Sequence, residues 1–197
     1  MVDSDGCAEP SRPMPRLFVA LDVTDATRQA LAALRDDTLP ARWTPPHQYH
    51  LTLRFIGEVP DEAVEAIRAG LATVQAAPVV LRGTGLGVFP SLRRPRVLFA
   101  RIDETPALMR LHAAVEAALT RVGLPPDERP FHPHITLARL SRPDARRVRR
   151  FRARHADVRI EPMRIDAFTL YASRLGPDGA QHHPLTTYPL HAAPHAA

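Results

Sequence analysis

The tetrapeptide His-Leu-Thr-Leu at residues 50–53 returns as His-Ile-Thr-Leu at 134–137. Polar and apolar residues alternate through both, which is the period of a strand with one buried face. On a strand, residues i and i+2 share a face. His50 and Thr52 therefore point together with Leu51 and Leu53 behind them, and His134 and Thr136 do the same against Ile135 and Leu137. Each copy lies near a long helical pattern, so the chain is expected to build two similar lobes, each offering one imidazole and one hydroxyl. An echo this short suggests pseudo-symmetry without establishing a duplication.

The remaining pattern is compatible with that plan. Arg16 to Asp22 (RLFVALD) reads as a buried strand, and Thr24 caps a helix in which Ala30, Leu31 and Leu34 fall at helical spacing. Pro40 and the pair Pro45–Pro46 end it. His50 to Ile56 is a strand with Leu51, Leu53 and Phe55 on its core face, closed by Gly57 and Pro60, and Asp61 to Ala76 is helical. Val79 to Phe89 and Arg96 to Ile102 suggest two strands, Thr105 to Val122 a helix, and His134 to Leu140 another strand. After a basic stretch, Arg164 to Ala172 and Leu185 to Leu190 are closing strands. Several strand pairs are joined by turns too short for a parallel crossover. The expected class is therefore α+β with mainly antiparallel sheet, in a single domain over 16–190 with flexible tails at 1–15 and 191–197.

Composition bounds what such a fold can do. No apolar run approaches the roughly eighteen residues of a membrane-crossing helix, and Met1 to Pro15 lacks a signal-peptide core. No membrane partner and a cytoplasmic location are expected. The single cysteine, Cys7, cannot close an intrachain disulfide. The formal charge is +5 and every basic side chain is Arg. Ala and Pro are abundant as well, so the arginine content reflects compositional bias and is weaker evidence for nucleic acid than its number suggests. The balance is compatible with a polyanionic partner.

If the two His-x-Thr faces oppose each other, they suit hydrolysis of a cyclic phosphodiester. One neutral imidazole takes a proton from water, and one imidazolium protonates the departing ribose oxygen. The hydroxyls hydrogen-bond the non-bridging oxygens, where charge resides. No paired carboxylates accompany the histidines, so neither a metal nor another cofactor is expected. With ten histidines in the chain, about half a His-x-Thr match arises by chance; the shared Leu and the shared strand context are what distinguish this pair.

HLTLRFIGEV at 50–59 and RPFHPHITLAR at 129–139 resemble the two signature motifs of the 2H phosphoesterase superfamily. The nearest likeness is to its RNA 2',3'-cyclic phosphodiesterases, also called 2'-5' RNA ligase-like proteins. RLFVALDV at 16–23 and FTLYASRLGPDG at 168–179 fit the same family. The resemblance implies a bilobal fold, two mainly antiparallel sheets with flanking helices around a central cleft. It implies His50, Thr52, His134 and Thr136 as catalytic residues, with His134 as base, His50 as acid and a 2'-phosphate as product. The implied substrates are RNA ends or nucleoside 2',3'-cyclic phosphates, with no obligate protein partner. The alternatives are 2'-5' ligation by the reverse reaction and an RNA- or nucleotide-binding module without turnover.

Substrate contacts are less determined. Arg139 follows the second motif where relatives carry a phosphate-contacting Arg, yet strand parity turns it away from the cleft. Arg54 has cleft parity with His50 and Thr52 and is a candidate substrate contact, while Phe55 is expected in the core. His132 is expected to support the site structurally, although a metal set of His50, His132 and His134 is an alternative. His182 stands where relatives commonly have a Tyr, so any base contact there would differ. The run Arg142 to His155 is either a solvated face or an RNA-backbone track, and Arg93, Arg94 and Arg96 offer a second basic patch.

Overall fold

The structure, a computed structural model, describes residues 14–141, 144–176 and 179–191. The expected tails therefore lie almost wholly outside the described residues, as do Arg142 and Pro143. Strand β1 (Arg16–Asp22) has the predicted bounds, and its apolar run is buried from Leu17 to Leu21. The Thr24 hydroxyl then accepts from the Thr27 amide and opens α1 (Asp25–Ala32). A three-residue strand, β2 (Ala41–Trp43), precedes β3 (His50–Glu58) and α2 (Asp61–Ala72).

The next stretch departs from the sequence expectation. Val79 to Phe89 is two strands, β4 (Val79–Thr84) and β5 (Leu86–Ser91), because Gly85 takes φ +74° between them and turns the chain. β6 (Arg94–Arg101) leads into α3 (Pro106–Arg121), where Thr105, expected as the first residue of the helix, instead caps it, and then β7 (His134–Leu140). The basic run forms α4 (Ala145–Arg154), capped by Asp144, with Val148 and Phe151 buried. The expected strand at Arg164 to Ala172 is divided at Asp166 between β8 (Arg159–Ile165) and β9 (Ala167–Gly176), and β10 (Gly179–Pro189) closes the chain.

The fold is α+β and its strand pairs are antiparallel, as expected. One sheet runs β10-β9-β1-β3-β7-β6-β5 with β2 also on β7, and β4 pairs β8 separately. Two strand–helix–strand–helix units, β1-α1-β3-α2 and β6-α3-β7-α4, lie within it, each with its two strands paired. Their half-sheets meet at one described rung, Leu51 against Ile135. Behind the sheet, Leu51, Leu53, Ile135 and Leu137 join Ile67 and Leu71 of α2 and Leu111 and Val115 of α3 in one buried core.

Candidate active site

The rung between the halves is formed by the middle residues of the two His-x-Thr motifs. Antiparallel register about Leu51 and Ile135 sets His50 beside Thr136 and Thr52 beside His134. The four side chains are half-buried on the face opposite the aliphatic core. Thr52 lies at the junction, lining one cleft with His50 and Thr136 and the adjoining one with His134.

Both imidazoles are held in the same way. His50 Nδ1 lies 2.7 Å from the Gln48 carbonyl and His134 Nδ1 lies 2.6 Å from the His132 carbonyl. A carbonyl only accepts, so each Nδ1 carries the proton, and each Nε2 is left free to accept or donate. His132 thus acts on the site through its backbone; its ring is exposed, 3.9 Å from Glu104. No three His, Cys, Asp or Glu side chains gather as a metal-holding group among the described residues.

Beyond each motif the strands break the simple alternation of faces. Across β1, Thr52 pairs with Ala20 and Arg54 with Val19, so Leu53 is an extra residue. Across β6, Thr136 pairs with Phe99 and Ala138 with Leu98, so Leu137 is extra in the same place. A bulge of this kind reverses the faces beyond it. Arg54 is therefore turned from the face of His50 and Thr52, although it still lines the adjoining cleft with Thr52 and His134. It is 7% exposed, its Nη1 donates to Glu116 Oε1 and Oε2 at 3.0 and 2.8 Å, and its Nη2 donates to the Pro125 carbonyl. Phe55, expected in the core, is 56% exposed and faces the cleft. Arg139, which parity turned away, lines the same cleft as His50 and Thr136.

Burial lowers the proton affinity of both imidazoles. For His50 the pKa falls to about 4, with the nearby charges of His182 and His134 lowering it further; its bond to Gln48 and the Asp22 carboxylate act in the opposite direction. His134 is lowered by burial and by His132, and its bond to the His132 carbonyl opposes the shift. Each ring thus has a second imidazole near it, His182 or His132, and what distinguishes them is the Asp22 carboxylate that acts on His50.

Over residues 23–177 the sequence matches the 2'-5' RNA ligase superfamily. The chain belongs to that superfamily. It is 41% identical over 143 residues to the RNA 2',3'-cyclic phosphodiesterase of Thermus thermophilus, covering 66% of this chain and 71% of the relative. It is 37% identical over 128 residues to the RNA 2',3'-cyclic phosphodiesterase of Geobacillus stearothermophilus, covering 62% of this chain but only 41% of that longer relative. The crystal structure of E. coli LigT complexed with 3'-AMP superposes with a TM-score of 0.70 at 28% identity, over 91% of this chain and 99% of that one.

In this member of the 2'-5' RNA ligase superfamily, aromatic rings wall both histidines, a feature that alternation and motif spacing do not reveal. Phe18 lies 5.0 Å from the His50 ring and stacks on Tyr171 at 5.1 Å, while His182 meets His50 edge-on at 5.4 Å. On the other side, Phe89 and Phe99 stack at 4.3 Å and stand 5.0 and 5.1 Å from His134. An added Cβ at Gly87 would run into the Phe99 ring, so that residue makes room for the wall. These contacts join residues far apart in the chain, and no local pattern signals them.

The basic run is partly tied down. Arg147 donates to the Thr38 carbonyl at 3.0 Å, Arg152 to the Leu86 carbonyl at 2.9 Å, and Arg154 to Asp36 at 2.8 Å. These bonds fix α4 to the body of the protein, so the helix is neither wholly a solvated face nor wholly a track for RNA.

Proposed function

We propose that this chain hydrolyses 2',3'-cyclic phosphates at RNA ends, without a metal, to leave a 2'-phosphate. The observation that carries the reading is the Leu51–Ile135 rung, because it turns two sequence motifs into one four-membered site. The names of the Thermus and Geobacillus relatives, and 3'-AMP bound to LigT, support the same substrate class.

His134, with its Nδ1 proton held by the His132 carbonyl, accepts a proton from water at Nε2. The resulting oxygen nucleophile attacks phosphorus, the bond from phosphorus to O3' breaks, and Nε2–H of protonated His50 delivers a proton to O3'. The products are a 2'-phosphate and a 3'-hydroxyl, with the protons conserved between the two rings. Thr52 and Thr136 donate to the non-bridging oxygens, and Arg139 supplies charge beside Thr136. His50 is neutral near pH 7 in the free protein; the anionic phosphate favours its protonated form and assists Asp22 in that direction. The exposed ring of Phe55 offers a stacking surface for a base.

The deciding experiment is turnover of an oligonucleotide ending in a 2',3'-cyclic phosphate, in excess EDTA, with the product phosphate position identified. A 2'-phosphate product that disappears in His50→Ala and in His134→Ala is the expected result. A 3'-phosphate, activity restored only by a divalent ion, or tight binding without turnover would overturn the reading in favour of a different mechanism or of a binding module.

A further inference from the structure

Arg42 of β2 and Arg139 of β7 are direct partners across the antiparallel ladder. Opposed residues on paired strands project from the same face, and two like charges there destabilise the pair unless something lies between them. Neither guanidinium has an ion pair or a side-chain hydrogen bond among the described residues, although arginines elsewhere take up Asp36, Asp103, Glu116 and Asp166. Both line the cleft that holds His50, Thr52 and Thr136, and no carboxylate contributes to its lining. Arg139 is turned there by the bulge at Leu137. β2 is held on the same strand by the bond from the Thr44 amide to the Leu137 carbonyl, 2.8 Å long.

We infer that Arg42 reads a second phosphate, the one on the 5' oxygen of the nucleotide whose cyclic phosphate reacts. The inference rests on the proposed phosphodiesterase reading and adds to it a residue that favours RNA ends over free nucleoside cyclic phosphates. Arg139 follows Thr136 on the motif strand, lines the same cleft, and serves the reacting phosphate. Arg42 is one strand further along the same face, and its charge, unpaired among the described residues, suits an additional anion. A substrate with two phosphates satisfies both guanidinium groups, and one with a single phosphate leaves their repulsion partly unrelieved.

The test compares three substrates: adenosine 2',3'-cyclic phosphate, the same nucleotide carrying a 5'-phosphate, and the dinucleotide ApA ending in the cyclic phosphate. In Arg42→Ala, kcat/KM for each of the last two, relative to the first, is expected to fall about tenfold, the value of one charge-assisted contact. The salt dependence of dinucleotide binding should become shallower by about 0.7 in log–log slope. Arg42→Glu, which pairs with Arg139, should raise Tm and abolish the preference for a 5'-phosphate. Equal losses on all three substrates, no loss, or a loss confined to the dinucleotide would overturn the inference, the last because it points to the second nucleoside. Should the wild-type protein turn over none of them, the phosphodiesterase reading fails by itself. The role of Arg42 is then decided by affinities of wild type and Arg42→Ala for adenosine 2'-phosphate against its 5'-phosphorylated form, measured by calorimetry. A preference lost in the variant supports it, and identical ratios refute it.

Discussion

Asp22 and His50 face each other across the β1–β3 ladder, and the same Asp22 carboxylate accepts a 2.7 Å hydrogen bond from the Tyr171 hydroxyl. It is the carboxylate that raises the proton affinity of His50, against burial and against the charges of His182 and His134. In Asp22→Asn the His50 pKa is therefore expected to fall further below about 4. With His50 as the acid, the alkaline limb of kcat/KM moves to lower pH in parallel. Titration of the His50 ring by NMR checks the first part, and an unmoved or raised midpoint would refute the electrostatic role.

His50 also ties stability to pH. Its folded pKa of about 4 lies below the ordinary 6.5, so between these values the unfolded chain binds the proton more readily. The stabilisation is present above pH 6.5 and is lost as the pH falls towards 4. The loss is bounded at about 3 kcal/mol. Urea unfolding at about pH 7 and about pH 4.5 should show a smaller difference for His50→Gln than for wild type. An equal difference in both proteins would place the acid sensitivity elsewhere.

Arg54 is expected to matter for stability. Its removal in Arg54→Ala strands the partly buried Glu116 carboxylate, at a cost of about 3–5 kcal/mol. Arg54→Met together with Glu116→Leu should recover most of that, as measured by denaturant midpoints. If the double variant is no better than Arg54→Ala, the ion pair is not the origin of the loss.

Gly87→Ala tests the wall beside His134. The new methyl group meets the Phe99 ring, which is hemmed in by Phe89 and His134. A stability loss of about 1–3 kcal/mol is expected, with kcat reduced because the imidazole shifts with the rings. Restoration by Phe99→Leu in the same chain would confirm steric displacement; continued loss would contradict it.

Much of the fold was legible because its signals are local. β1 and β7 have the predicted ends, and Thr24 caps its helix as side-chain chemistry requires. The faces of His50, Thr52, His134 and Thr136 came from alternation alone. Those of Arg54, Phe55 and Arg139 did not, because Leu53 and Leu137 are ordinary aliphatics and nothing in their identity announces an extra residue in a ladder. α4 was hidden by its charge: Val148 and Phe151 are its only large apolar anchors, too few to reveal a helical stripe among the arginines. β2 is three residues long, below what alternation can register, and β8 carries few apolar residues at a regular period.

The near two-fold arrangement around the Leu51–Ile135 rung bears on regiochemistry. A quartet of two His-x-Thr pairs looks the same from either end, so by itself it cannot choose which ribose oxygen departs. A cyclic phosphate seated the other way round would meet the same groups with donor and acceptor exchanged, and would open to the 3'-phosphate. The choice falls to features that break the symmetry: the Asp22 carboxylate beside His50, and Arg139 and Arg42, which line the cleft of His50 and Thr136 with no ion pair among the described residues. On the proposed reaction, product identity is therefore a property of the surroundings, and altering them offers a route to inverting it while all four motif side chains stay in place.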